Sequence, residues 1–314
     1  MPVDPLIQSI LDAANAAPRP ATPPTVADAR AAAHAAMDQT FLALAEPGPD
    51  PASIVDHRVP VDGGEITLRV YTPQGSGPWP IHLNIHGGGF WLGTLDQFDP
   101  GCRGLCAAAG VVVASVDYRL APEHRYPVAP EDCYTALVWV HDHAAELAGD
   151  PTRISVGGGS AGGNLAAVVS LMARDRGGPA LRLQVLEIPV TDLTMSQPSV
   201  TANGEGYLLT KEGMAQYRGY YLADIDQARE PYASPLLAPD LSGLPPAVVM
   251  TMEYDPLRDE GEAYARRLRD AGVPTVAKRW AGHIHGSTSF TKVLASAREC
   301  RDDVAAAVRA AHAR

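Results

Sequence analysis

Cysteine, aromatic residues, positive charge and long apolar runs are all scarce in this 314-residue chain. Its four cysteines, Cys102, Cys106, Cys133 and Cys300, are too sparse for a disulfide framework and suit reduced, mostly buried thiols. No apolar stretch reaches membrane-spanning length, and Met1-Pro2-Val3-Asp4-Pro5 lacks the basic and apolar regions of a signal peptide, so a cytoplasmic protein with no membrane partner is expected. The 25 basic residues face 36 acidic ones, a net charge of −11. With no basic run to offset it, that balance argues against nucleic acid and anionic surfaces as partners. Neither HExxH nor a paired Cys/His spacing is present, so no metal and no other cofactor is expected. There is no internal repeat.

What the chain does contain is glycine in telling places. The run Arg153-Ile154-Ser155-Val156-Gly157-Gly158-Gly159-Ser160-Ala161-Gly162-Gly163-Asn164-Leu165 sets a serine in a GxSxG turn between a strand-like and a helix-like stretch. A nucleophile on so sharp a turn needs small residues two before and two after it, here Gly158 and Gly162, and the turn leaves the Ala161 N–H free to bind an oxyanion. A rival reading exists. Gly157, Gly159 and Gly162 also spell the GxGxxG of a dinucleotide-binding turn. That turn normally follows the first strand of its fold and has an acidic residue ending the next strand, whereas this one lies mid-chain and Glu187 sits inside the strand-like Leu183 to Val190. No Lys-Ser or Lys-Thr follows the glycines, which excludes a P-loop.

A second motif shifts the balance. The buried-looking strand Ile81 to Ile85 runs into His86-Gly87-Gly88-Gly89-Phe90. Three consecutive glycines cost folding entropy, and a loop that accepts the cost brings backbone close to something, as an HGGG oxyanion loop does. HGGG with a later GxSxG is far more specific than either alone. A serine hydroxyl also needs a base and an orienting carboxylate. The strand-like Ala247 to Met252 ends in a cluster holding Glu253, Asp255, Asp259 and Glu260, and Thr275 to Trp280 leads to His283 and His285, each at the C-terminal end of a strand, where open parallel sheets place ligands.

From these residues the chain resembles the hormone-sensitive-lipase-like carboxylesterases, an α/β-hydrolase family. The resemblance runs from roughly residue 61 to the C-terminus. It rests on five motifs in order: His86-Gly87-Gly88-Gly89, Asp117-Tyr118-Arg119-Leu120-Ala121-Pro122-Glu123-His124, Gly158-Gly159-Ser160-Ala161-Gly162, Asp255-Pro256-Leu257-Arg258-Asp259 and His285-Gly286. It implies Ser160 as nucleophile, His285 as base, Asp255 as orienting acid, and the N–H groups of Gly88, Gly89 and Ala161 as the oxyanion hole. His86 and Gly87 would support that loop. The histidine directly before glycine selects His285 and leaves His283 as a partly exposed loop residue. The acid before Pro256 selects Asp255, with Glu253 supporting its loop and Asp259 and Glu260 opening a helix. His141 and His143 read as solvated helix-surface residues. One departure stands out: the family commonly has Asp or Thr before the serine, where this chain has Gly159.

The implied activity is hydrolysis of small carboxylic esters, with short acyl chains preferred. Amides, formamides or lactones are alternatives with the same triad, and some proteins resembling the family are receptors that have lost triad members. Homodimers are common among similar proteins, although no residue pattern here marks an interface.

Strand-like runs at 66–71, 81–85, 111–116, 154–156, 183–190, 247–252 and 275–280 alternate with helical patterns, predicting a mostly parallel sheet covered by helices. One such helix is expected over Glu131 to Leu147, with Leu137, Val140, Ala144 and Leu147 as its buried stripe. Residues 1–50 and 194–235 break the alternation and are assigned to a helical cap on a core made of 51–193 and 236–314. The second cap segment concentrates aromatics, and Phe90, Tyr207, Leu208, Met214 and Tyr217 are candidates to wall a substrate pocket.

Overall fold

The computed structural model describes residues 2–16 and 25–313. Residues 1, 17–24 and 314, which fall in the expected first cap segment and at the end of the core, lie outside the described residues. One sheet of eight strands organises the chain: β1 (Ser53–Val61), β2 (Gly64–Thr72), β3 (Trp79–Ile85), β4 (Val112–Asp117), β5 (Gly149–Gly159), β6 (Leu181–Glu187), β7 (Ala247–Tyr254) and β8 (Thr275–Ile284). Its spatial order is β1-β2-β4-β3-β5-β6-β7-β8. β2 pairs antiparallel with β1 and β4, and every pair from β4 through β3 to β8 is parallel. The helices are α1 (Pro5–Ala16), α2 (Val26–Met37), α3 (Leu95–Ala109), α4 (Val128–Asp142), α5 (Ala161–Asp175), α6 (Ser199–Ala202), α7 (Lys211–Tyr221), α8 (Arg258–Asp270) and α9 (Ala295–His312).

Two apolar layers hold the sheet, as the near-continuous apolar runs of buried parallel strands require. On one face Ile81, Leu83 and Val156 pack with Leu137 of α4, Leu165 of α5 and Leu268 of α8. On the other, Val113, Val185 and Met250 pack with Leu105 of α3 and Val304 of α9. α5 is buried along its first thirteen residues, Ala161 to Ala173. That explains its Ala-Val-Val-Ser-Leu-Met composition: a helix covered on all sides is apolar all round. A smaller cluster joins Ile7 and Leu11 of α1 to Ile284, Phe290 and Leu294.

Several boundaries differ from the sequence reading, each for a local reason. β1 was not expected, being an edge strand of mostly exposed residues with Pro60 in it. β6 stops at Glu187 rather than Val190, because Ile188, whose N–H still donates to Met250 O at 2.7 Å, takes φ 43° and turns the chain out of the extended conformation. α4 begins at Val128, three residues before the expected Glu131, since Pro130 in a first turn lacks no needed N–H. It ends at Asp142, so Ala144 and Leu147, although buried, belong to the following turn. Among the described residues no helix is long and apolar enough to cross a membrane.

Candidate active site

β5 carries Gly157, Gly158 and Gly159 directly into Ser160, which adopts φ 58° and ψ −118° before α5 begins. Such a conformation costs a side-chain-bearing residue on the order of 1–3 kcal/mol and persists only where its surroundings enforce it. Here the Ser160 N–H donates to Glu187 O at 2.8 Å, and Ser160 O accepts from the N–H groups of Asn164 at 3.0 Å and Val190 at 3.2 Å. The flanking glycines answer to a neighbour: a Cβ on Gly158 would lie 2.3 Å from Ile85 O, and one on Gly162 would lie 2.0 Å from the same atom. The end of β3 is thus pressed into the turn.

Beyond Ile85 the chain enters the glycine loop. His86 is 1% exposed, with its ring stacked on Tyr118 at 4.3 Å between centroids. The Tyr118 hydroxyl donates to His86 O at 3.0 Å. Burial pulls the His86 pKa down to about 4, so the ring is neutral near pH 7. Its Nδ1 lies 2.7 Å from Gly87 O. A carbonyl only accepts, which assigns the proton to Nδ1. Gly88 and Gly89 take φ 118° and 60°, and Gly88 O receives the N–H groups of Trp91 and Leu92. The N–H groups of Gly88, Gly89 and Ala161 have no protein acceptor among the described residues.

Two further strand ends complete the cluster. β7 delivers Asp255, fully buried, whose Oδ1 accepts the Leu257 N–H at 2.8 Å. β8 delivers His285, whose Nδ1 lies 2.8 Å from Asp255 Oδ2 and whose Nε2 lies 3.0 Å from Ser160 Oγ. With its Nδ1 proton donated to the carboxylate, a neutral imidazole turns the Nε2 lone pair toward the serine hydroxyl. Residues from three strands, 125 positions apart at the widest hydrogen bond, meet in one line.

The acid-bearing loop is braced by the expected second cap segment. Asn203 Nδ2 donates to Asp255 O at 3.1 Å and Glu253 O at 3.3 Å. Ser199 Oγ donates to Pro256 O at 2.7 Å, and Asp259 accepts the Ser199 N–H at 2.9 Å. Glu253 accepts the Gly282 N–H through Oε2 at 2.8 Å, a contact that supports the loop. Glu260 is buried on the N–H groups of Thr191 and Asp192.

A cavity of about 930 Å³ opens on Ser160 and His285, and Phe90, Leu208, Met214 and Tyr217 line it. Tyr217 also touches the glycine loop, since a Cβ on Gly89 would lie 2.8 Å from its ring. Tyr207 does not line the cavity. Its ring packs on Tyr254 at 5.1 Å instead, so its place in the pocket is corrected to the small apolar cluster around Phe290. His283 is also corrected: it is 2% exposed within β8, with Nδ1 2.9 Å from Ser287 Oγ and Nε2 2.8 Å from Ser296 Oγ. His141 and His143 are half-buried, the latter stacked on Trp139 at 4.3 Å. All four cysteines are free and buried. Among the described residues no cluster of His, Cys, Asp or Glu is arranged to hold a metal.

Glu187 is the site residue that sequence reasoning treated only as an argument against a dinucleotide fold. It lines the cavity beside Gly159, and burial pushes its pKa up to about 7. A carboxyl in the otherwise apolar Leu183 to Val190 was the available signal.

Comparison with known proteins gives a consistent result. Residues 82–289 match a family described as having the alpha/beta hydrolase fold. The carboxylic ester hydrolase LipN of Mycobacterium tuberculosis is 44% identical over 274 residues, covering 85% of this chain and 73% of its own length. An arylesterase of Saccharolobus solfataricus is 40% identical, covering 78% of this chain and 80% of its own. Among solved structures, an esterase of Pyrobaculum calidifontis superposes with a TM-score of 0.91 at 41% identity, over 98% of this chain and 99% of that one.

Proposed function

This chain belongs to the alpha/beta hydrolase family, in its hormone-sensitive-lipase-like branch of carboxylesterases, and we propose that it cleaves small carboxylic esters through an acyl-enzyme on Ser160. The observation that carries the reading is the unbroken hydrogen-bonded line from Asp255 through His285 to Ser160 Oγ. His285 takes the hydroxyl proton as Oγ attacks the ester carbonyl, and the resulting oxyanion is met by the N–H groups of Gly88, Gly89 and Ala161. The tetrahedral adduct collapses, the alcohol leaves with the proton from His285, and an acyl group remains on Oγ. Water, deprotonated by the same imidazole, attacks the acyl-serine and releases the acid. Asp255 holds the imidazole in the required tautomer and offsets its charge when it is protonated.

His86 and Gly87 act as supports: the buried neutral ring ties the loop to Gly87 O and rests on Tyr118, which fixes where the Gly88 and Gly89 amides point. The described parts of segments 1–50 and 194–235 serve as a cap over the described parts of the core segments 51–193 and 236–314, and Leu208, Met214 and Tyr217 from it wall the pocket with Phe90. α7 packs against the glycine loop through Tyr217, and the substrates proposed for this pocket are esters of short acyl chains in preference to long ones. The chain works in the cytoplasm on a small-molecule ester, without nucleic acid or membrane.

The test is hydrolysis of chromogenic esters from acetyl to palmitoyl, with Ser160→Ala run beside the wild type. Serine-dependent turnover that peaks at short chains is expected. A peak at long chains overturns the chain-length part, and turnover that survives Ser160→Ala overturns the mechanism. A matched amide hydrolysed in preference to its ester would move the activity to the amide class.

A further inference from the structure

Glu187 is the terminal residue of β6 and stands opposite Gly159 in the parallel register of β5 and β6. Its carbonyl holds the Ser160 N–H at 2.8 Å, so its Cα is tied to the residue that the ester must reach. Residues paired across parallel strands share a face of the sheet. Gly159 presents no side chain on that face, and a Cβ built there would meet only Glu187 O, at 3.9 Å. The space next to the glutamate is therefore open, and both residues line the same cavity as Ser160 and His285.

The half-buried carboxyl has no hydrogen-bond or ion-pair partner among the described residues, and it faces the cavity rather than a protein donor. The neighbours that face it do not supply one. From α9, Cys300 packs its thiol on Met250 Sδ at 3.5 Å, and Arg301, also lining the cavity, is engaged with Glu46 and Asp302. Asp302 and Asp192 carry the wrong charge to pair with it. From α3, Cys102 accepts from the Asn84 amide. His285 is committed to Asp255 and Ser160. Burial raises the carboxyl's pKa to about 7 with no charge or hydrogen bond opposing it.

An unpaired carboxyl in a substrate cavity is hydrated when the cavity is empty. A plain alkyl ester that displaces this water leaves the group unsatisfied, whereas a ligand with a suitably placed donor satisfies it. We infer that Glu187 is a specificity-determining residue of the esterase site, selecting esters whose acyl or alcohol part carries a hydroxyl or ammonium donor over plain alkyl esters of the same size. This rests on the ester-hydrolase reading and names the substrate class that reading leaves open. Gly159 belongs to the same device, because its missing side chain provides the room in which the substrate donor meets the carboxyl.

The experiment measures kcat/KM by acid release at fixed pH for ethyl butyrate against ethyl 3-hydroxybutyrate and ethyl 3-aminobutyrate, and against 2-hydroxyethyl and 2-aminoethyl butyrate. Wild type, Glu187→Gln and Glu187→Leu are compared. Sites that hydrogen-bond a substrate group reject analogues without it strongly, and for this partly hydrated carboxyl a preference of about tenfold to a hundredfold for at least one donor ester is expected. In Glu187→Leu the preference collapses to near unity and plain ethyl butyrate gains. In Glu187→Gln, near in size to the native residue, a hydroxyl preference survives while an ammonium preference is lost, and this variant carries the test if the leucine variant does not fold. Equal ratios in wild type and both variants for every pair overturn the inference while leaving the esterase reading intact. Absence of turnover of every ester by folded wild type overturns that reading and this inference with it.

Discussion

Replacing Glu187 by glutamine changes the pH dependence of stability in a way that can be worked out from the fold. Burial holds the carboxyl at about 7 in the folded protein, against an ordinary value of 4.5 in the unfolded chain. A raised carboxyl pKa means that the folded state binds more protons than the unfolded state between those values. Its contribution to stability is thus fully present below pH 4.5 and is lost as pH rises through about 7. At about 1.36 kcal/mol per pKa unit, integration from pH 5 to pH 8 gives a loss of about 2.5 kcal/mol in the wild type. Glutamine cannot ionise and has no such loss. The difference in unfolding free energy, variant minus wild type, should therefore rise by about 2.5 kcal/mol over that interval, whatever its value at pH 5. Urea unfolding of both proteins at several pH values measures it. Burial pushes the neighbouring Cys102 and Cys300 thiols well above this pH range, so they stay protonated in both proteins. A difference that does not change with pH would refute the claim that the folded protein holds the Glu187 carboxyl's pKa well above its ordinary value.

Three other outcomes are expected. Asp255→Asn should lower kcat by about 10⁴-fold with little change in KM, because the amide favours the wrong tautomer of His285; a loss confined to KM in steady-state assays would contradict this. Gly162→Ala should destabilise the protein by more than about 4 kcal/mol or prevent folding, since its Cβ would sit 2.0 Å from Ile85 O, and an unchanged denaturation midpoint would show that β3 does not press on the turn. Burial lowers His82 to about 3, and His86 and His312 to about 4, from 6.5. Their contribution is present above 6.5 and lost as pH falls, about 2 kcal/mol each by pH 5, so Glu187→Gln, which lacks the opposing carboxyl, should lose stability more steeply in acid than the wild type does.

The parts of this protein legible in the sequence are those where backbone geometry restricts residue choice. The glycines at 158 and 162 are demanded by a carbonyl about one bond length too close for any side chain, and such a demand leaves a mark in a single sequence. The apolar runs of β3, β4 and β7 were readable because strands buried on both faces admit little else. β1 was not, because an exposed edge strand with Pro60 in it imposes no such restriction. Tyr207 was misplaced for a related reason: a tyrosine near a cleft and a tyrosine packed on Tyr254 look alike until the chain's path is known. His283 and His285 differ only in which way a strand end turns them, and burial of the first between Ser287 and Ser296 left no trace in spacing. Glu187 was visible as a charge in an apolar strand, yet its meaning depended on the register that sets it against Gly159.

The bonds from Ser199 and Asn203 to the loop of Asp255 join the segment proposed to wall the substrate pocket to the loop whose carboxylate bonds the His285 imidazole. Under the proposed mechanism, selectivity and turnover are therefore not separable modules. A graft of residues 194–235 from another esterase would bring a new pocket and, by shifting Asn203, a new setting for the Asp255 carbonyl and the imidazole it steadies. Laboratory variants that alter substrate range through this segment would then vary in kcat for substrates of identical size, and second changes restoring rate would collect around residues 253–259 rather than in the pocket itself.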